Sequence, residues 1–366
     1  MKKKILFIQP FYFYNGHYFG LFNNLVNNLS KNKNISFLVS ENNKIKNFFF
    51  KKGLKNIKKK AEVFTFQSVK KSNSRWNAFK AFFKILKLNK KFDIFFFYDS
   101  DLFILSILYL FFWPFLINKK IIVYIFCGPE SLNKSNFKKM IIKIFLRFKN
   151  NKIFTRTQYL AQAWQKYFSN KKNISYLGCY DFPDLNFNKR IRKGKLKCGV
   201  IGQVRVGKSI EFLYDFFQKN KKKGLFFVMG NFTAEKVKNN FRFLDKRSLF
   251  TENFDSSKKI SHNSSSLDYI CLMYDNFFDH RQDISTLYLA AKLRSPVICF
   301  NRKGWLLEKV KKYNCGLVLD SIKDLKKLPL RNSSKYKKFV NGMIKFDHNE
   351  TGKIKENFFY NKIYNN

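Results

Sequence analysis

Residues 198–217 read CGVIGQVRVGKSIEFLYDFF, and the reading of this stretch decides the fold of the chain. It opens on the apolar run Val200-Ile201, turns at Gly202 and enters an apolar helical pattern at Ile210. Strand, glycine loop and helix in that order suit a phosphate, because a helix start offers free amides and a positive dipole end. Gly202 to Ser209 also spell G-x-x-x-x-G-K-S, the spacing with which nucleotide hydrolases cradle phosphates. Two uses of one lysine therefore compete. In one, backbone amides wrap a nucleoside triphosphate and a metal-binding carboxylate ends another strand, for which Tyr269–Asp275 could serve. In the other, Arg205 and Lys208 reach out as cations toward a diphosphate.

The alternation around this stretch continues in both directions. Upstream, strand-like runs occur at Ile5–Gln9, Ile35–Val39, Val63–Phe66, Ile94–Tyr98, Ile121–Phe126, Ile153–Thr155 and Ile174–Leu177, with helical patterns between most of them. These runs are unbroken β-branched and aromatic residues rather than alternating ones, which predicts parallel strands covered on both faces. Residues 183–195 lose the pattern and read as a linker. Downstream, strands are expected at Leu196–Ile201, Leu225–Met229, Leu249–Thr251, Tyr269–Tyr274, Val297–Phe300 and Leu317–Leu319. Helices are expected at Ile210–Phe217, Ala234–Phe243, Ser285–Leu293 and Leu306–Tyr313. The chain is thus predicted to be α/β, with two doubly wound Rossmann-like domains facing across a cleft. The expected divisions are a first domain at 1–182, a linker at 183–195, a second domain at 196–335, and a helical tail at 336–366 that packs back on the first domain.

Composition bounds the partners. The chain has 366 residues and a formal net charge of +48, from 72 Lys and Arg against 24 Asp and Glu. Such an excess suits a polyanion or an anionic membrane surface. A/T-rich codons would also produce it, since Lys, Asn, Ile and Phe rise together. No RNP-like, zinc-finger or helix-turn-helix signature is present, so no specific nucleic acid is expected. The six cysteines form no CxxC and lie far from histidines at metal spacing, as core thiols of a reduced compartment would. The opening MKKKILFIQP imitates a signal peptide, but Gln9 and Pro10 interrupt it, and a first core strand is expected instead. Residues 102–117, LFILSILYLFFWPFLI, fall short of the ~20 that span a bilayer and contain Pro114, which predicts a buried or interface-dipping helix.

Several stretches together resemble the GT-B glycosyltransferases, particularly the large group with a G-x-x-R-x-x-K donor loop. IQPFYFYNGHYF looks like that family's first strand and glycine loop, and VYIFCGPES like its strand ending in H-G-P-E, with Cys127 in the histidine position. GQVRVGKS looks like the donor loop, GLFFVMGNF like the following strand, and ISTLYLAAKLRSPVICF like the block closing the donor site. The resemblance implies a nucleotide-diphosphate sugar held by Gly202, Arg205, Lys208, Gly230 and the loop with His280, Arg281, Ser285 and Thr286. Gly16 and His17, in the loop after the first strand, are expected to let backbone approach the ligand and to offer helix-start amides to an anion. With no paired-carboxylate metal motif in the sequence, cations rather than a metal or cofactor are expected to neutralise the leaving diphosphate. The family's paired glutamates are absent: anchoring on Pro296 puts Arg281 and Leu289 in their places. Stereochemistry therefore stays unassigned.

Candidate catalytic residues are His17, at a strand end, and Glu130, a possible base for an acceptor hydroxyl or a helix-starting acid. Asp99 and Asp101 are weaker alternatives of the same kind. Two basic, aromatic helices bear on membrane contact. Around residues 76–91, Trp76, Phe79, Phe83 and Leu86 are expected opposite Lys80, Lys84, Lys87 and Lys91. Around 137–148, Phe137, Met140, Ile141, Ile144, Phe145 and Phe148 are expected opposite Lys138, Lys139, Lys143 and Arg147. The resulting expectation is a glycosyltransferase extending a surface glycan or lipid-linked acceptor, cytoplasmic and peripheral at the inner membrane face. A P-loop NTPase and a non-catalytic nucleotide-binding protein of the same fold are the rivals.

Overall fold

A computed structural model of the chain describes residues 3–12, 17–41, 48–68, 74–132, 135–170, 172–178, 194–202, 204, 206–229, 267–274, 285–350 and 353–365. Two compact units emerge: Met1–Pro183 with Glu356–Asn366, and Asp184–Lys355.

In the first unit, strands β1 (Ile5–Gln9), β2 (Ile35–Glu41), β3 (Val63–Gln67), β4 (Ile94–Tyr98), β5 (Lys120–Ile125), β6 (Asn151–Thr155) and β7 (Ile174–Tyr176) form one sheet. Its order is β3-β2-β1-β4-β5-β6-β7, and every pairing is parallel. Parallel neighbours need crossovers, and helices supply them. They are α1 (His17–Leu29), α2 (Phe48–Lys60), α3 (Ser74–Leu88), α4 (Leu102–Leu116), α5 (Asn136–Phe145) and α6 (Gln158–Phe168). The strand period of two splits β1 between two cores. Ile5 and Phe7 pack with α1 and α2, whereas Leu6 and Ile8 pack with α3, α4 and α5. This is why β1 and β4 read as continuous apolar runs: all their residues are buried.

The C-terminal helix (Lys353–Asn365) belongs to this first core. Phe359 lies 6.1 Å from both Phe7 and Phe96, ring centre to ring centre. Burying one such ring contributes about 1.5–3 kcal/mol, and Ile363, also fully buried, adds to it. The Lys120 ammonium also donates to the Ile363 carbonyl at 2.8 Å.

The second unit has β8 (Leu196–Ile201), β9 (Gly224–Met229), β10 (Tyr269–Cys271), β11 (Val297–Phe300) and β12 (Gly316–Leu319). They form a second parallel sheet, in the order β12-β11-β10-β8-β9. Its helices are α7 (Ile210–Lys219), α8 (Ser285–Lys292), α9 (Trp305–Tyr313) and α10 (Ser334–Glu350). The expected helix Ala234–Phe243 and strand Leu249–Thr251 lie outside the described residues. Tyr336 and Phe339 of α10 join the core of this unit, so residues 336–366 divide between the two cores. An ion pair between a half-buried arginine and a buried aspartate closes the unit: Arg331 forks onto Asp268 at 2.6 and 2.7 Å, and Asp268 accepts from the Lys197 amide at 2.7 Å. It ties the segment after β12 to the start of β8. The two sheets are the doubly wound α/β architecture read from the sequence.

Two sequence expectations need correction. In α3, Trp76, Lys80, Phe83 and Lys87 all lie exposed on one stripe, because their spacing of four, three and four residues keeps them within a single helix face. The aromatic and basic residues thus interleave instead of opposing each other, and Phe79 and Leu86 turn inward. In α5, Phe137 and Met140 are likewise exposed with Lys143, while Ile142 and Phe145 are buried.

Candidate functional site

Ligand crevices of doubly wound sheets lie outside the strand carboxyl ends, where the strand order reverses. In the second unit that point falls between β8 and β10, with β9 on one side and β11 and β12 on the other. The loop leaving β8 is shaped by three left-handed residues: Gly202 (φ 104), Gly207 (φ 89) and Ser209 (φ 49). Glycine takes such angles without steric cost, so two of the three turns are built into the sequence. The Gly202 amide donates to the Met229 carbonyl at 2.8 Å and fastens the loop to β9. Val204 is fully buried in the core of the unit and anchors the middle of the loop.

Lys208 follows, and it is only 7% exposed. Burying a charged side chain is costly unless it is paired, so a lysine this little exposed stands apart from the solvated lysines of the surface. α7 then opens at Ile210, beyond both Lys208 and Ser209, and Ser209 makes no side-chain capping bond. Thr286 sits half-buried in the first turn of α8. Ser285 opens that helix, but its side chain is outside those described. Arg205, Gly230, His280 and Arg281 lie outside the described residues.

A further cation at this edge escaped the sequence reading. Arg302, just past β11, donates to the Tyr274 carbonyl at 3.1 Å and stacks its guanidinium 4.8 Å from the Phe300 ring centre. The signal was present as a basic pair immediately after the VICF strand, but only the fold puts it beside the end of β10. Chemistry by thiolate has no support in this unit. Burial pushes the Cys271, Cys299 and Cys315 thiols up to about 12, and Cys198 is also raised.

In the first unit the strand order reverses between β1 and β4. Gly16 lies outside the described residues. His17 opens α1, and Glu130 falls in the short 3₁₀ turn Pro129–Leu132 after β5, so both backbones stand at strand carboxyl ends. Neither side chain is among those described. Asp101 is occupied elsewhere: its carboxylate caps α4, accepting from the Phe103 and Ile104 amides at 3.1 and 3.2 Å. Asp99 holds a left-handed conformation (φ 54) at the end of β4.

Polar groups that the sequence reading passed over collect on the same edge. Gln9, ending β1, is fully buried, and its Oε1 accepts from the Phe11 amide at 2.9 Å. Its Nε2 and the buried Ser100 hydroxyl past β4 find no hydrogen-bond partner among the described residues. Buried orphans of this kind are rare and mark a place for a ligand or water. Arg156, after β6, is nearly buried and lies 4.6 Å over the Phe126 ring. Cys127 is exposed, and its carbonyl accepts from the Trp164 indole at 2.9 Å. Among the described residues, no group of three or more His, Cys, Asp or Glu side chains is placed to hold a metal ion.

No protein-family model matches the chain. No curated protein matches it either. Solved structures do match, over nearly the whole length. The crystal structure of Anabaena Alr3699/HepE in complex with UDP and glucose aligns with a TM-score of 0.67 at 11% identity, covering 99% of this chain and 98% of that one. A glycosyltransferase from Rickettsia africae ESF-5 aligns at 0.66 and 14%, covering 100% and 99%. The apo lipopolysaccharide outer core galactosyltransferase WaaB aligns at 0.61 and 14%, covering 99% of both chains. At these identities the likeness is one of fold, and with the two parallel sheets it shows that the chain has the α/β architecture of the GT-B glycosyltransferases.

Proposed function

We propose that this protein is a glycosyltransferase that moves a sugar from a nucleotide-diphosphate sugar to a surface-glycan or lipid-linked acceptor. The observation that carries the reading is Lys208, enclosed after β8 in a loop shaped by Gly202 and Gly207 at the strand-order reversal. A cation held there, out of bulk water, binds a diphosphate more strongly than an exposed lysine would. The placement of α7 supports this reading over a P-loop hydrolase. In a P-loop the Lys-Ser pair opens the helix and the hydroxyl meets magnesium, whereas here both residues precede the helix and Ser209 is left-handed.

In this reading Arg205 and Lys208 grip the diphosphate, and Gly230 lets it approach the backbone. His280 or Arg281 and the start of α8 at Ser285 and Thr286 meet the remaining phosphate charge. As the bond from the anomeric carbon to the diphosphate oxygen breaks, an acceptor oxygen bonds to that carbon and its proton passes to a base, for which His17 and Glu130 are the candidates. The leaving diphosphate departs with its charge balanced by those cations. A lipid-linked acceptor would put the reaction at the inner face of the cytoplasmic membrane.

The test is transfer from a panel of UDP-, GDP- and CMP-sugars to lipid-linked and soluble glycans, with wild type and Lys208→Ala. Transfer that drops with the substitution supports the reading. Magnesium-dependent ATP or GTP hydrolysis without sugar transfer would replace it with the hydrolase. Nucleotide binding without any turnover would leave only a binding protein of this fold.

A further inference from the structure

Thirteen large apolar side chains stand exposed among the described residues, and eight of them belong to the outer side of α3, α4 and α5. Four of the eight cluster where α4 ends. Phe111 is 76% exposed and Phe115 64%, with Trp113 and Ile117 beside them. Pro114 and a break from helical geometry at Phe112 (φ −112, ψ 16) turn this last stretch outward from a helix whose first half is largely buried. Ring contacts join it to its neighbours: Phe83 of α3 meets Phe112 at 5.5 Å, and Trp113 meets Phe148 at 6.2 Å. A contiguous apolar surface of this kind signals a partner, since isolated exposed rings would need no explanation.

Charge says which partner. None of the three helices carries an acidic residue. Lys80 and Lys87 interleave with Trp76 and Phe83 on one stripe of α3; the Lys80 ammonium donates to the Gln67 carbonyl at 3.1 Å, and the stem of Lys87 can lie along the rings while its ammonium reaches phosphate. Beside the end of α4, the Asn150 amide donates to the Ile117 carbonyl at 3.1 Å. That turn borders a hollow of about 1090 Å³ lined by Arg147, Lys149, Lys166 and Lys172, with no acidic residue in its walls. An apolar projection next to a cationic hollow matches a lipid with an apolar tail and an anionic headgroup. A second copy of the chain would bring two basic faces together, which repulsion opposes.

We infer that this outer face docks on an anionic phospholipid surface, with the end of α4 inserted among the acyl chains and the hollow receiving headgroup phosphate. The contact involves only the first unit and stands whether or not the chain transfers sugar. It takes the stretch 102–117, read from the sequence as buried or interface-dipping, and assigns its kinked end to insertion, so that apolar insertion rather than charge alone is the source of retention.

The experiment uses the whole protein and vesicles of phosphatidylcholine, with and without phosphatidylglycerol, in the absence of any nucleotide sugar. Trp164 and Trp305 are 2% and 5% exposed, so quenching by lipids brominated on their acyl chains reports on Trp76 and Trp113 without any substitution. Quenching on anionic vesicles that persists in high salt is expected, because inserted rings are not screened. The triple variant Phe111→Ser/Trp113→Ser/Phe115→Ser should partition at least ~10-fold more weakly, with far-UV circular dichroism confirming its fold. Lys166→Glu/Lys172→Glu should lose the preference for phosphatidylglycerol. Absence of quenching, complete release by salt, equal binding of the triple variant, or a lipid-free dimer that protects Trp113 would each overturn the inference.

Discussion

Lys208 and Lys80 carry the same charge in opposite settings. Lys208 is enclosed at the carboxyl end of β8 in the second unit, behind a loop whose shape two glycines permit. Lys80 stands in solvent on the outer stripe of α3 in the first unit, its ammonium 3.1 Å from the Gln67 carbonyl, with Trp76 and Phe83 on either side. The enclosed cation is shielded from bulk water, whereas the exposed one is screened by salt and contributes little by itself. A net charge of +48 conceals this division. The difference teaches that burial, not the count of lysines, sets one cation of this chain apart from another.

Four measurements sharpen or break that comparison. The largest effect belongs to a half-buried cation that holds a buried carboxylate. Arg331→Ala should leave the Asp268 carboxylate enclosed without its fork and lower stability by about 3–5 kcal/mol in urea unfolding. A shift below about 1 kcal/mol would mean that water enters the site and that burial counts for less than argued. Next is Lys208→Ala. A charge-assisted bond of about 1.5–3 kcal/mol corresponds to roughly a 10–100-fold weaker Kd for UDP or GDP by calorimetry. An unchanged Kd would place the lysine away from phosphate.

Lys120 lies between the extremes, half-buried, with its ammonium on the Ile363 carbonyl. Burial first, then repulsion from Lys152 and Lys3, lowers it to about 8. The folded state thus releases this proton before the unfolded chain does. The penalty for carrying the charge is complete below pH 8 and fades as pH rises toward the ordinary lysine value. Wild type should therefore gain stability relative to Lys120→Met between pH 7.5 and 10, and a flat difference would remove the burial argument. The smallest effect is Lys80→Ala, which should change stability by no more than about 0.5 kcal/mol. A larger loss would show that the exposed stripe has a structural role.

Much of the architecture was legible because it is local. The runs at Ile5–Gln9, Leu196–Ile201 and Val297–Phe300 became strands with those bounds, being short, largely apolar and set between loops and helical patterns as strands covered on both sides are. The loop after β8 was legible too, because Gly202 and Gly207 stand where left-handed turns are needed. The candidate site was less readable. Arg302 drew no notice until β10 and β11 stood side by side, and Gln9 and Ser100 became noteworthy only once their polar atoms were enclosed together at one sheet edge.

By itself, then, the sequence determined two wound sheets, their strands, the glycine-shaped loop and the surplus of positive charge, all of which follow from periodicity over a few residues. Tertiary structure alone decided that Lys208 is enclosed and Lys80 is not, and that Arg302 stands beside the end of β10. Those outcomes depend on which distant elements cover a given side chain, and burial of that kind is a property of packing that no short stretch of chain encodes.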